Sequence, residues 1–72
     1  MGRVVIDPTI QHGKPVIRGT RVPVSVLVGS VAAGMSLEET AREYGVGTDD
    51  VKAALEYASR LVSDEDVEGL HA

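Results

Sequence analysis

Three cations near the start of the chain have the side-chain types and spacing best suited to chemistry. Lys14, Arg18 and Arg21 lie within eight positions of one another, with His12 beside them. Guanidinium and ammonium groups bind carboxylates and phosphates, and an arginine fork does so with two parallel hydrogen bonds. The cluster therefore predicts either internal salt bridges, to Asp7 or to carboxylates of a helix, or an anion-binding or partner-binding surface.

Two kinds of anion suit the second interpretation. One is the phosphate backbone of DNA, since arms beside helix-turn-helix domains reach the backbone or the minor groove. The other is the carboxylate cluster of a nuclease metal site, which a guanidinium can occupy in place of the metal. The residues alone leave both open.

Other chemistries lack the residues they require. His12 and His71 are far apart and the chain has no cysteine, so we expect no metal site. Gly13-Lys14 is followed by Pro15, where a phosphate loop needs serine or threonine. Acidic pairs occur at residues 38–39 and 49–50, and both are explained by helix starts. We therefore expect no enzyme, no cofactor and no small-molecule substrate.

The length and composition of the chain predict a domain with a small hydrophobic core. The chain has 72 residues, is 43% hydrophobic and only 3% aromatic. A single core in a chain this short seldom leaves more than about 3–5 kcal/mol of net stability without disulfides, a metal or oligomerisation. We therefore expect self-association, most simply a homodimer. The lack of cysteine and of a long apolar run favours a cytoplasmic protein without a membrane span.

Charge divides the chain into parts with different partners. Residues 1–23 carry a net charge of +3, whereas residues 24–72 carry −7. We predict an extended N-terminal arm at 1–23, a helical core at 24–62 and an acidic flexible tail at 63–72. The tail is either a solvated end or a segment that orders on a basic partner.

The arm contains short β-branched runs separated by turn residues. Val4-Val5-Ile6 ends at Asp7-Pro8, and Gly13-Lys14-Pro15 precedes Val16-Ile17. Gly19-Thr20 suits a two-residue type II′ loop that would place Arg18 opposite Arg21. Since like charges across a ladder are unfavourable, an anion lies between them or the two extended pieces dock elsewhere.

The core has helical periodicity from Val24 onward. Val24, Leu27, Val28 and Val31 share one face of a first helix, which Gly34 ends in a left-handed cap. Ser36 and Glu39 predict a capping box for a second helix with Leu37, Ala41 and Tyr44 facing inward, closed by Gly45. Thr48 is expected to cap a third helix whose buried stripe is Val51, Ala54, Leu55, Ala58 and Leu61.

The second and third helices have the spacing of a helix-turn-helix, with Ala41 at the crossing and Gly45 in the turn. The predicted fold is mainly α: a three-helix helix-turn-helix (homeodomain-like) core with a short N-terminal β-hairpin or extended arm. Thr48 and Lys52 are the weaker candidates for DNA contact, because Asp49 and Asp50 at the same end oppose a phosphate backbone.

The chain resembles a known family of small bacterial proteins, domain-of-unknown-function family 433. The resemblance runs from Val5 to Tyr57 and is carried by Asp7-Pro8, residues 13–24 (Gly-Lys-Pro-Val-Ile-Arg-Gly-Thr-Arg-Val-Pro-Val), Ala33-Gly34, Tyr44 and residues 54–58. It implies a helix-turn-helix-like fold and the antitoxin role of a type II toxin–antitoxin pair, beside a PIN-like ribonuclease toxin. Autoregulation through operator DNA is a further expectation for such an antitoxin. The alternative is a dimeric protein-interaction module that does not bind DNA.

Overall fold

The computed structural model describes residues 2–63. Two strands, β1 (Val4–Ile6) and β2 (Pro15–Ile17), precede three helices, α1 (Val24–Ala32), α2 (Leu37–Tyr44) and α3 (Thr48–Ser63). A single 3₁₀ turn at Gln11–Gly13 lies between the strands. The fold is mainly helical with a short antiparallel hairpin, which confirms the predicted class. The acidic tail from Asp64 onward, with the interpretations attached to it, lies outside the described residues.

The two strands form a short antiparallel ladder with Val5 opposite Val16. The ladder continues one position further, since the Arg18 N–H donates to the Arg3 carbonyl at 2.7 Å. A turn closed by the Thr20 N–H and the Ile17 carbonyl (3.0 Å) then returns the chain along the other side of β2. There Val16 forms a bridge with Pro23. β2 is therefore the middle piece, between β1 and residues 22–23.

Local signals place the ends of α1 and α2 where the sequence predicts them. Gly34 has φ +111°, and the Met35 N–H donates to the Ser30 carbonyl in a Schellman cap. Ser36 and Glu39 form both hydrogen bonds of the capping box at 3.0 and 2.8 Å. Gly45, at φ +70°, ends α2 in the left-handed conformation.

The start of α3 differs from the prediction by one residue and by its capping group. Thr48 is the first helical residue, and the Gly47 carbonyl accepts from the amides of Asp50 and Val51. The side chain of Asp50 accepts from the Gly47 N–H at 2.9 Å. The expected Thr48 cap is therefore wrong: Thr48 is itself helical, so the cap position falls on Gly47, which has no side chain, and Asp50 in the first turn accepts from the Gly47 amide instead.

The core lies where the three helices meet the hairpin. Its fully or nearly fully buried side chains are aliphatic and small: Val16, Ile17, Val24, Leu27, Ala41, Val51 and Ala54. Thr40 is also fully buried, and its hydroxyl has no hydrogen-bond partner within the described residues. Leu61 was expected in the buried stripe of α3 and is 50% exposed. That expectation is wrong because the last turn of α3 extends past the elements that cover its middle.

No helix within residues 2–63 combines the length and the apolarity that a bilayer crossing requires.

Candidate interaction surface

The three predicted cations, Lys14, Arg18 and Arg21, are all exposed and lie on or beside the hairpin. Lys14 immediately precedes β2, Arg18 immediately follows it, and Arg21 stands on the returning segment. Within residues 2–63 none of the three forms an ion pair with a carboxylate. Their charges are therefore available to an external anion, and the internal salt bridges to Asp7 or to α2 are not formed.

Arg18 has a neighbour that the sequence did not indicate. The strand register continues to place Arg18 opposite Arg3, so two guanidinium groups meet at the end of the ladder. The two side chains separate: Arg18 Nε donates to the carbonyl of Gly2, whereas Arg3 turns to α3. Because the two guanidinium groups bond to different partners, repulsion between these cross-strand cations is relieved.

Arg3 fastens the hairpin to the start of α3. Its Nη1 donates to Asp50 Oδ1 at 2.9 Å, and its Nη2 lies 3.7 Å from Asp49 Oδ2. The hydrogen bond from the Gly47 amide, supported by the Arg3 guanidinium, lowers the pKa of Asp50, although partial burial opposes the shift. Asp50 thus caps α3 and anchors Arg3 with the same carboxylate.

A strained connection supports the segment that carries Arg21. Gln11 and His12 adopt left-handed backbone conformations, with φ values of +50° and +57°. Non-glycine residues occupy this region rarely and at a cost of about 1–3 kcal/mol, so their surroundings must hold them there. Gln11 Nε2 donates to the Arg21 carbonyl at 3.2 Å. This bond fixes the backbone of Arg21 while its side chain remains exposed.

A groove of about 610 Å³ separates the start of β1 from the outer side of α3. Its walls combine cations with half-buried apolar side chains: Arg3, Val4, Lys52, Ala53, Tyr57 and Arg60. Arg60 is held by Glu56 at 3.0 Å, an exposed pair one helical turn apart. Lys52 forms no ion pair within the described residues. Asp49 and Glu56 also line the groove, so it combines apolar side chains with charges of both signs.

The residues predicted to face DNA lie at the start of α3, on a different element from Lys14, Arg18 and Arg21. Thr48 is half-buried, Lys52 is exposed, and the Asp49 side chain is 71% exposed despite the nearby Arg3. Asp50 is only 18% exposed and is neutralised by Arg3. One of the two carboxylates that oppose DNA is thus masked, and Asp49 still projects near Lys52.

Sequence reasoning did not select Arg3 or the groove. Arg3 contributes to the positive balance of the arm, but the partner that gives it a role, Asp50, is 47 residues away. A hairpin of β1 with β2 would have put Arg3 opposite Arg18, and that register is the one available signal. Within residues 2–63 the histidine and the carboxylates form no cluster of three that could hold a metal ion.

A family model described as "Protein of unknown function (DUF433)" matches residues 4–58 and confirms the resemblance seen in the sequence. A chain named "Putative antitoxin VapB45" from Mycobacterium tuberculosis is 38% identical over 53 residues, which is 74% of this chain and 22% of that protein. "Uncharacterized protein y4eO" from Sinorhizobium fredii is 57% identical over 35 residues, 49% of this chain and 16% of that one. This chain thus spans about a fifth of the length of these relatives.

A solved structure shows the same fold. The crystal structure of a DUF433 member protein from Anabaena variabilis superposes with a TM-score of 0.77 at 30% identity, covering 94% of this chain and 68% of that one. The match includes both the hairpin and the helices, because it extends over nearly the whole chain.

Proposed function

This chain belongs to the DUF433 family, and on that premise we propose that it is an antitoxin of the type II class, which neutralises a PIN-like ribonuclease toxin by direct binding. The observation that carries the proposal is the 38% identity, over 74% of the chain, to a protein named as an antitoxin. That relative is several times longer, so the proposal concerns the part that the two proteins share. Binding, rather than catalysis, is the proposed activity.

The arm supplies the chemistry for such binding. Lys14, Arg18 and Arg21 are exposed and form no ion pair within residues 2–63. A ribonuclease of the PIN type presents a cluster of carboxylates, and a guanidinium fork satisfies a carboxylate with two parallel hydrogen bonds. We expect Arg21 to make the main contact, because Gln11 fixes its backbone while its side chain is free. Arg18 and Lys14 add charge on either side.

Operator binding is the second part of the proposal. Lys52 and Thr48 are the DNA candidates on α3, and Arg3 masks Asp50 beside them. The exposed carboxylate of Asp49 reduces the affinity of this face for phosphate. The competing function, a dimeric interaction module without DNA binding, is favoured by that same carboxylate. A salt titration separates them, since DNA binding weakens steeply as counterions are released and a mainly apolar contact does not.

The first experiment is purification of the tagged protein from its native host at moderate salt, with mass spectrometry of stoichiometric partners. A PIN-like ribonuclease supports the proposal, and its activity should fall when this chain is added back. A chain that copurifies with operator DNA alone, or with nothing, contradicts the antitoxin role.

Charge reversal then localises the contact. We expect Arg21→Glu to weaken toxin binding at least tenfold, a change of about 1.4 kcal/mol or more in binding free energy. Arg42→Glu is the matched control, because Arg42 is also exposed but lies in the last turn of α2. Equal losses from both variants, with circular dichroism unchanged, would mean that the arm is not the binding surface.

A further inference from the structure

The connection between β1 and β2 is longer than a hairpin needs, and it contains a left-handed turn. Residues 7–14 join the two strands, whereas antiparallel neighbours are usually joined by about 2–5 residues. Within the connection Gln11, His12 and Gly13 follow one another at φ +50°, +57° and +82°. Residues other than glycine adopt this conformation singly rather than in succession. Such strain persists only where the surroundings hold it, so the contact that the turn makes indicates its use.

That contact is made by the side chain of Gln11. The turn closes on itself where the Gly13 N–H donates to the Ile10 carbonyl at 3.0 Å. Gln11 Nε2 then donates to the Arg21 carbonyl at 3.2 Å. Because β2 lies between β1 and residues 22–23, the connection from β1 reaches past β2 to the returning segment. In the described part of the chain this is the one hydrogen bond between the connection and that segment.

The peptide group that follows Arg21 is held at both ends by side chains. Its carbonyl accepts from Gln11, and its N–H, which belongs to Val22, donates to Thr20 Oγ1 at 3.0 Å. The same hydroxyl donates to the Ile17 carbonyl at 2.8 Å. Because a peptide group is planar, bonds at both ends fix its orientation and with it the ψ angle of Arg21. An exposed guanidinium thus extends from a backbone whose direction is already set.

We propose that Gln11 and Thr20 are positioning residues for Arg21, and that the left-handed turn serves to place Gln11 against the Arg21 carbonyl. The inference rests on the proposed function, in which Arg21 is the main contact with the ribonuclease. An anchoring side chain that is ordered before association loses less conformational entropy when the complex forms. Gln11 and Thr20 therefore raise the affinity through the backbone of Arg21, without touching the partner themselves.

Two glycine variants separate positioning from backbone strain. Gln11 and His12 both have a φ that glycine adopts freely, so glycine relieves the strain at either position. Only Gln11→Gly removes the donor to Arg21. It should weaken binding to the ribonuclease that copurifies with the tagged chain about 3-fold to 10-fold, measured by isothermal titration calorimetry. His12→Gly is the matched control and should bind within about 2-fold of the wild type.

A second pair of variants tests the other end of the peptide group. Thr20→Val keeps the shape and removes the hydroxyl, whereas Thr20→Ser keeps the hydroxyl. Binding should fall about 3-fold to 10-fold in Thr20→Val and stay near the wild-type value in Thr20→Ser. In the free protein, ¹⁵N relaxation should show a lower order parameter for the Val22 amide in Thr20→Val and Gln11→Gly. The amides of α1 should be unchanged in both.

A double-mutant cycle distinguishes positioning from a general weakening of the arm. If Gln11 acts through Arg21, then Gln11→Gly should have no further effect on affinity once Arg21→Ala has removed the guanidinium. A merely structural role would lower the affinity by the same factor with or without Arg21. Additive losses would therefore overturn the proposal.

The outcomes also separate this inference from the proposed function. If Arg21→Ala lowers the affinity and Gln11→Gly does not, the Arg21 contact stands and the positioning role is overturned. An unchanged Val22 order parameter in Gln11→Gly overturns it as well, without any partner present. If Arg21→Ala binds the ribonuclease as tightly as the wild type, the contact proposed for Arg21 fails, and the positioning role fails with it.

Discussion

The hairpin arm and the helical bundle of this small protein differ in the contacts that determine their structure. Each helix of the bundle carries its own stop or start signal within a few residues, such as the Ser36–Glu39 box and the Gly45 cap. The arm has local turns, through Asp7 with Thr9 and through Thr20 with Ile17, but its attachment to α3 includes the hydrogen bond of Arg3 to Asp50, 47 residues away. The bundle therefore provides a rigid base, whereas the arm is positioned by contacts that are distant in sequence.

Charge follows the same division. Lys14, Arg18 and Arg21 of the arm have no carboxylate partner in the described part of the chain, whereas the ion pairs that do form there join Arg60 to Glu56, and Asp49 and Asp50 to Arg3. The exposed cations of the arm are the feature on which the proposed binding role rests. Substitutions in the bundle core should therefore lower stability most, those where the arm meets the bundle less, and those in exposed ion pairs least.

The largest effect should come from the bundle core. Leu27 is fully buried in α1, and Leu27→Ala should lower the free energy of unfolding by about 2–5 kcal/mol. Because a chain of this size has about 3–5 kcal/mol in total, the variant should be largely unfolded at 25 °C. Urea denaturation followed by circular dichroism measures the loss. Leu61→Ala, at a half-exposed site, should change it by less than about 0.5 kcal/mol.

The next largest effect lies where arm and bundle meet. Asp50→Asn removes the charge that caps α3 and holds Arg3, and should cost about 1–2 kcal/mol at pH 7.

The pH dependence of the same site has a defined sign. The pKa of Asp50 is lowered from 3.8 in the folded protein, so its contribution is present above that value and is lost as pH falls through the lower, folded pKa. Urea midpoints measured from pH 7 to pH 2 should fall more steeply for the wild type than for Asp50→Asn. Parallel curves would show that Asp50 does not join the two regions.

A stabilising change is expected inside the bundle. Thr40 is fully buried and its hydroxyl has no partner in the described structure, so the desolvation cost of that hydroxyl is not recovered. Thr40→Val keeps the shape and the β-branch, and should raise the free energy of unfolding by about 1 kcal/mol. The thermal midpoint should rise accordingly. A fall of similar size would indicate a hydrogen bond to Thr40 that forms in solution.

The smallest changes in stability should come from two ion pairs of similar length, Arg3–Asp50 and Arg60–Glu56. Arg3→Ala should cost up to about 1 kcal/mol, because Asp50 is mostly shielded from solvent and loses its guanidinium. Arg60→Ala should cost less than about 0.5 kcal/mol, since both it and Glu56 are well exposed. Limited proteolysis should distinguish the two variants further. Only Arg3→Ala should make the arm susceptible to trypsin, and gel electrophoresis would show the cleavage.

Most of the bundle could be predicted from the sequence because its signals are local. Helical periodicity, the capping box and the two closing glycines lie within a few residues of the ends they define. The cap of α3 and the exposure of Leu61 were missed for a common reason. Both depend on contacts in space: Asp50 accepts from the Gly47 amide, and the other elements within residues 2–63 leave Leu61 half-exposed.

The arm and the candidate site were less predictable. The two strands were evident, but the choice between pairing with each other and pairing across Gly19-Thr20 depends on long-range packing. β2 in fact contacts both sides, through Val5 and through Pro23. Lys14, Arg18 and Arg21 are exposed as an anion-binding surface requires, whereas Arg3 acquires its role from a residue 47 positions away.

The Arg3–Asp50 contact also sets an order of events during synthesis of the chain on the ribosome. Arg3 emerges 47 residues before its partner, whereas β1 and β2 are both complete by Ile17. An isolated two-stranded hairpin is marginally stable in water, and closing the long loop to α3 carries an entropic cost. The arm therefore docks after α3 has formed, and until then Val16 and Ile17, which are buried in the folded protein, are accessible to chaperones and to other nascent chains.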